Sequence, residues 1–114
     1  MYKSIQGCLL GTAVGDSLGL PFEGMTAQRI QKVKPLPLRQ RFFLNGGMLS
    51  DDSEHTCMVA QSLIASSIDS KLFTKELAKR FRWWLVGLPA GIGMATLKSL
   101  VKLWLSFSPD KSGV

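Results

Sequence analysis

Apolar residues recur at helical spacing in four stretches of the chain, and nowhere do they alternate convincingly as a half-buried strand requires. Ile5, Leu9 and Ala13 lie four apart and predict a helix over about 2–18 that Pro21 ends. Cys57, Ala60, Ile64 and Ile68 recur at three and four, with Val59 and Leu63 beside them. That spacing predicts a helix over about 51–67. Asp69 or Ser70 is placed to cap a third helix, where Phe73, Leu77, Phe81 and Trp84 face inward and Lys75, Lys79, Arg80 and Arg82 face outward. "GLPAGIG" breaks that pattern, and Leu97, Leu100, Val101 and Trp104 then predict a last helix over about 94–106. Residues 23–47 read as irregular. "KPLPLRQRF" is extended or turning, because a residue before proline avoids the helical region, and "NGG" at 45–47 is a turn signal. The fold class expected is all-α, a compact helical bundle forming a single domain over 1–114.

Glycine breaks the pattern of the first helix in an informative way. Gly7, Gly11 and Gly15 recur every four residues, with Gly19 just beyond. Each costs a helix interior about 0.5–1 kcal/mol against alanine. A stripe of them makes a bare track along which another backbone is expected to come close.

Composition adds limits rather than a function. The chain has 114 residues, 46% hydrophobic and 19% charged, with a formal charge of +6. No apolar run approaches the roughly 20 residues needed to span a bilayer. The N-terminus shows neither a basic region nor a long apolar run, so a soluble cytoplasmic protein without membrane contact is expected. Cys8 and Cys57 lie far apart with a single histidine, His55, in the chain. They read as two reduced, buried thiols rather than a disulfide or a zinc site. The positive charge invites a nucleic-acid reading, carried by Arg29, Lys32, Lys34, Arg39 and Arg41. Pro35 and Pro37 interrupt that run, which reads better as a solvated loop, and a basic nucleic-acid-binding module is the least favoured function because it leaves the acid clusters unexplained.

Five of the eight acids fall in two short stretches: Asp16 with Glu23, and Asp51, Asp52 and Glu54. "SDDSEH", beginning at Ser50, has two readings. Serine and aspartate are good helix N-caps, and acids in a first turn suit the helix dipole. Two carboxylates converging to about 4 Å would instead repel by roughly 4 kcal/mol at an effective dielectric of 20, against a dipole return of about 0.3–1 kcal/mol per charge. Converging acids therefore need a cation, and hydroxyl and carboxylate oxygens suit Mg²⁺, Mn²⁺ or Ca²⁺. The residues alone leave both readings open.

"GCLLGTAVGDSLGLPFEG" followed by "SDDSEHT" resembles the N-terminal part of the ADP-ribosylglycohydrolase family, of the dinitrogenase-reductase-activating type. The resemblance implies an all-α fold, of which this chain is the incomplete N-terminal part. It implies a two-metal centre of Mg²⁺, with Mn²⁺ as the alternative, and cleavage of ADP-ribose from a modified protein side chain or another ADP-ribose-containing molecule. Ser50, Asp51 and Asp52 match the family's Thr-Asp-Asp metal ligands, with serine keeping the hydroxyl oxygen. Asp52 and Glu23 are expected to serve catalysis, Glu23 by orienting acceptor or water. Asp16 matches the aspartate of the "GD" motif and is expected near substrate. "PAGIGMAT", at 89–96, looks like the family's phosphate- and ribose-holding loop, which implies substrate contacts at Gly91, Ile92, Gly93 and Thr96. Glycines before a helix leave free N–H groups at its positive end, which suits a diphosphate. The family's second motif, an Asp-x-Asp late in a longer chain, has no match among Asp69, Glu76 and Asp110. Half of the metal cage is therefore expected on a complementing C-terminal half, and an inactive remnant or split enzyme is the alternative to an active one. The excess of positive charge agrees with a more acidic partner.

Overall fold

The computed structural model describes residues 2–33, 39–40, 46–87, 89 and 92–112. Every regular element among them is helical, as expected. They fall into two compact units, Met1–Thr56 and Cys57–Val114.

In the first unit, α1 spans Tyr2–Gly19 and runs into a 3₁₀ turn, Leu20–Phe22, that packs against it. Pro21 does not stop the chain abruptly. It sits in the first turn of the 3₁₀ segment, where its missing N–H costs nothing. Gly24 follows at φ 71°, a left-handed conformation that glycine adopts without strain. A second helix, α2, spans Ala27–Val33 where an irregular segment was expected. Thr26 accepts the Arg29 N–H through its Oγ1 at 3.4 Å, and "AQRIQKV" consists largely of good helix formers. Arg29 and Lys32 therefore lie exposed on a helix rather than in a loop, whereas Lys34, both prolines and Arg41 lie outside the described residues.

The glycine stripe of α1 has no close neighbour. A Cβ placed on Gly7, Gly11, Gly15 or Gly19 meets nothing, so the expected second backbone is not there among the described residues. Close approach occurs instead at Gly47. A Cβ there would overlap the Ser17 hydroxyl and the Gln40 side chain.

The first turn of α3, Asp51–Ala65, closes this unit, and the rest of the helix belongs to the second. Along α3 and the turn that follows it the buried residues are Ser53, Met58, Ser62 and Ser66, while Ile64 and Ile68 are 68% and 70% exposed and Leu63 and Cys57 are exposed as well. The apolar residues that set the helical period are thus not the ones that are buried. Serine tolerates this burial because its hydroxyl is satisfied inside the helix: Ser62 Oγ donates to the Met58 carbonyl at 2.7 Å and Ser66 Oγ to that of Leu63 at 3.2 Å. Cys8 is also exposed, so neither thiol is buried as expected.

In the second unit α4 spans Ser70–Val86, α5 Met94–Trp104 and α6 Pro109–Ser112. Asp69 caps α4, its carboxylate accepting the Leu72 N–H at 2.8 Å. The core is a small cluster of Ala78, Leu100 and Leu103, with Phe81, Trp84, Leu85 and Ile92 against it. Two polar links tie α4 to α5. Arg82 Nε donates to the Leu103 carbonyl at 3.0 Å, and the Trp104 indole N–H donates to the Arg82 carbonyl at 3.3 Å. Arg82 therefore turns inward where an outward side chain was expected, while Trp104 remains 48% exposed. Both follow from the same cause: a ring N–H and a guanidinium find backbone oxygens at the edge of a core too small to enclose them. No helix of the described residues is long and apolar enough to cross a membrane.

Candidate functional site

Asp16 lies one turn before the end of α1, and its carboxylate meets the start of α3 from 34 residues away. Asp16 Oδ2 accepts the Ser50 N–H at 2.8 Å and the Ser53 hydroxyl at 2.5 Å. Asp16 Oδ1 accepts the Ser50 hydroxyl at 2.6 Å. These short O–H···O⁻ distances are those of charge-assisted bonds. Ser50 is also a helix cap. Its Oγ accepts the Asp52 N–H at 3.4 Å, and its carbonyl accepts the Glu54 N–H at 3.3 Å. The acid-rich start of α3 is therefore a real helix end, and it is fastened from outside by a fourth carboxylate.

These residues surround a pocket of about 460 Å³ in the first unit. Asp16, Ser50, Asp52 and Glu23 supply its polar wall, and Gly15 and Gly19 of α1 lie along it beside Leu20 and Phe22. Here the glycine stripe acquires a use: side chains at Gly15 and Gly19 would project into open space that the pocket occupies. Glu23 is exposed, held at the end of the 3₁₀ turn by its N–H to the Leu20 carbonyl at 3.2 Å. Asp51 is partly buried and does not line the pocket.

Two influences act oppositely on Asp16. Burial, the largest, raises its pKa, and the hydrogen bonds from Ser50 and Ser53 together outweigh it, leaving the carboxyl below its ordinary value. It is a carboxylate at neutral pH.

The donors around the pocket fit a hard divalent cation in kind, since all are hydroxyl or carboxylate oxygens. In number they do not complete a shell. Among the described residues, no three His, Cys, Asp or Glu side chains gather closely enough to hold an ion. Ile92, Gly93 and Thr96 lie in the second unit. Ile92 packs on the apolar cluster, Gly93 is the N-cap of α5 with no side-chain capping bond, and Thr96 stands in that helix's first turn. Gly91 lies outside the described residues. What sequence reasoning missed at this site is Ser53. It lies inside the motif without being singled out by it, and nothing in the local pattern distinguishes a serine reaching a carboxylate 37 positions back.

An uncharacterized protein of Archaeoglobus fulgidus is 30% identical over 122 residues, an alignment covering all of this chain and 38% of that relative. The chain thus spans well under half the length of the relative it matches. No solved structure matches. The family model for ADP-ribosylglycohydrolases matches residues 1–114, and the chain belongs to the ADP-ribosylglycohydrolase family.

Proposed function

We propose that the pocket bounded by Asp16, Glu23, Ser50 and Asp52 is part of a Mg²⁺-dependent site that hydrolyses the bond between ADP-ribose and a modified protein side chain or related acceptor. The observation that supports this most is the convergence of residues from two distant motifs on one pocket in a chain of this family. The finer placement with the dinitrogenase-reductase-activating type rests on the motifs "GDSLGLPFEG" and "SDDSEH".

Ser50, Asp51 and Asp52 would hold Mg²⁺, or Mn²⁺ in its place. When bound, such an ion supplies positive charge that acidifies water and offsets charge developing on oxygen. Glu23, exposed at the pocket rim, orients the acceptor or a water through its carboxylate. Gly15 and Gly19 leave room for a sugar to lie against the α1 backbone. Gly91, Ile92, Gly93 and Thr96 are proposed to meet the phosphates and ribose through backbone N–H groups at the start of α5. The reaction takes place in the cytoplasm.

A second reading has its own support. Too few acids gather around the pocket, among the described residues, to complete a two-metal cage. The remaining ligands are proposed to come from a stretch corresponding to the unmatched length of the Archaeoglobus relative, in the same polypeptide or a separate one. The test is release of ADP-ribose from ADP-ribosylated peptides with Mg²⁺, by this chain alone and mixed with the unmatched part of that relative. Turnover is expected in the mixture, and Asp51→Ala or Asp52→Ala should abolish it. Undiminished turnover in both variants would overturn the assignment. Turnover by the chain alone, lost on Asp51→Ala, would leave the hydrolase reading intact and remove the need for further ligands.

A further inference from the structure

We propose that Asp16 is a positioning residue: by taking the Ser50 hydroxyl proton into its own hydrogen bond, it leaves Ser50 Oγ as an acceptor toward the pocket. The inference deepens the proposed function and rests on its reading of Ser50 as a cation ligand. It assigns Asp16 a task other than contact with substrate.

A serine hydroxyl has one hydrogen and two lone pairs. The hydrogen of Ser50 is taken by Asp16 Oδ1 at 2.6 Å. One lone pair faces the Asp52 N–H at 3.4 Å, and Ser50 lines the pocket. The lone pair that remains is what the pocket receives. If the hydrogen turned that way, Ser50 would present a donor and repel a cation. Orientation is thus a matter of polarity as much as of position, and Asp16 sets the polarity because an ionised carboxylate can only accept. The other oxygen of Asp16 fixes where Ser50 stands, by accepting its N–H and the Ser53 hydroxyl. A carboxylate at this place therefore performs two tasks that a neutral residue cannot combine.

Asp16→Asn separates the tasks. Its amide oxygen can keep the Ser50 N–H, while its NH₂ faces Ser50 Oγ and obliges that hydroxyl to accept and turn its proton toward the pocket. The experiment is titration of the chain with Mn²⁺ alone, followed by electron paramagnetic resonance, for wild type, Asp16→Asn, Ser50→Ala and the double variant, with helix content checked by circular dichroism. Asp16→Asn is expected to weaken Mn²⁺ by about 10–100-fold, the range typical of partners that orient a metal ligand. In the Ser50→Ala background it should cost nothing further, which a merely structural role would not produce. Additive losses, or no loss in Asp16→Asn, would overturn the proposal. The hydroxyl is also read without metal: the Ser50 O–H proton should be slow to exchange by NMR in wild type and fast in Asp16→Asn. Absence of Mn²⁺ binding by wild type with a protected Ser50 hydroxyl would defeat the metal reading and leave the positioning intact. A rapidly exchanging hydroxyl in wild type would defeat the positioning itself.

Discussion

The two units of this chain are held together by opposite means. Among the described residues of Met1–Thr56 the buried side chains are the serines Ser17 and Ser53, and one carboxylate joins the end of α1 to the start of α3 through three hydrogen bonds. In Cys57–Val114 an apolar cluster of Ala78, Leu100 and Leu103 joins α4 to α5, and two polar links add to it at its edge. Apolar burial is insensitive to direction. Hydrogen bonds to a single anion fix atoms to within a few tenths of an ångström and fail together when the anion is lost. A unit built the second way suits a site, and a unit built the first way suits a scaffold.

The sharpest break in that contrast comes from the apolar side. Leu100 is 3% exposed, and Leu100→Ala should destabilise the second unit by about 2–5 kcal/mol through lost burial and the cavity left behind. All three tryptophans, Trp83, Trp84 and Trp104, lie in that unit, so urea unfolding followed by their fluorescence reads it directly. Slow exchange of the Ser50 amide should persist. A variant that loses both signals together would mean that the units do not respond separately.

Asp16→Ala is the mirror experiment. It leaves the Ser50 N–H and two hydroxyls without their acceptor, at an expected cost of about 2–3 kcal/mol given partial exposure and the strength of bonds to charged groups. Ser50 amide exchange should rise while the tryptophan transition stays in place. The pH dependence has a definite sign. Because the Asp16 pKa is held below its ordinary value, the contribution is fully present at neutral pH and lost as pH falls through the native pKa, under the usual carboxylate value of about 3.9. Wild type and Asp16→Ala should therefore converge in acid. A gap that persists there would mean that the carboxylate's charge is not what matters.

Two smaller changes probe the link between α3 and α4. Asp69→Ala removes the cap on α4 and should cost about 1 kcal/mol, read by the tryptophan transition. Ile68 stands just before it at φ 71°, a conformation that costs a β-branched residue about 1–2 kcal/mol. It is 70% exposed, so Ile68→Gly relieves strain and sacrifices little burial. A gain of about 1 kcal/mol is expected, and a loss would show that the side chain packs more than its exposure implies.

The four longer helices were legible in the sequence because their apolar residues repeat at three and four, and that period survives whatever the helix packs against. Faces were less legible. Ile64 and Ile68 carried the pattern of α3, yet Ser62 and Ser66 are the buried residues, because serine can satisfy its hydroxyl on its own helix and then needs only a small space. Spacing rules rank apolar side chains and are blind to that option. α2 is hidden because it is only seven residues long and runs close to the two prolines at 35 and 37. At the site, the motif residues Asp16, Glu23, Ser50 and Asp52 were all named from sequence, and the pocket gathers them. That Asp16 meets Ser50 and Ser53 was not legible, since a contact across 34 to 37 residues leaves no local periodicity.

The finest test sets Asp16 beside a second depressed carboxylate. Glu76 accepts from Arg80 at 2.5 Å one turn along α4, and that bond, the main cause, lowers its pKa against a smaller opposing effect of burial. By sign alone both acids contribute stability that is lost in acid. Their settings differ. Glu76 and Arg80 are neighbours on one helix face, so the bond closes no long loop, and solvent and salt screen it. Asp16 fixes two segments that the chain keeps far apart, and nothing else among its partners can replace it as an acceptor. Glu76→Gln should therefore leave the tryptophan unfolding midpoint unchanged at physiological salt, below even the Asp69→Ala shift. A shift as large as that of Asp69→Ala would show that the exposed pair is structural, and that a depressed carboxylate in this protein signals stability wherever it occurs. If the midpoint holds, the depressed pKa carries structural meaning only where the hydrogen bonds come from distant sequence, which singles out Asp16.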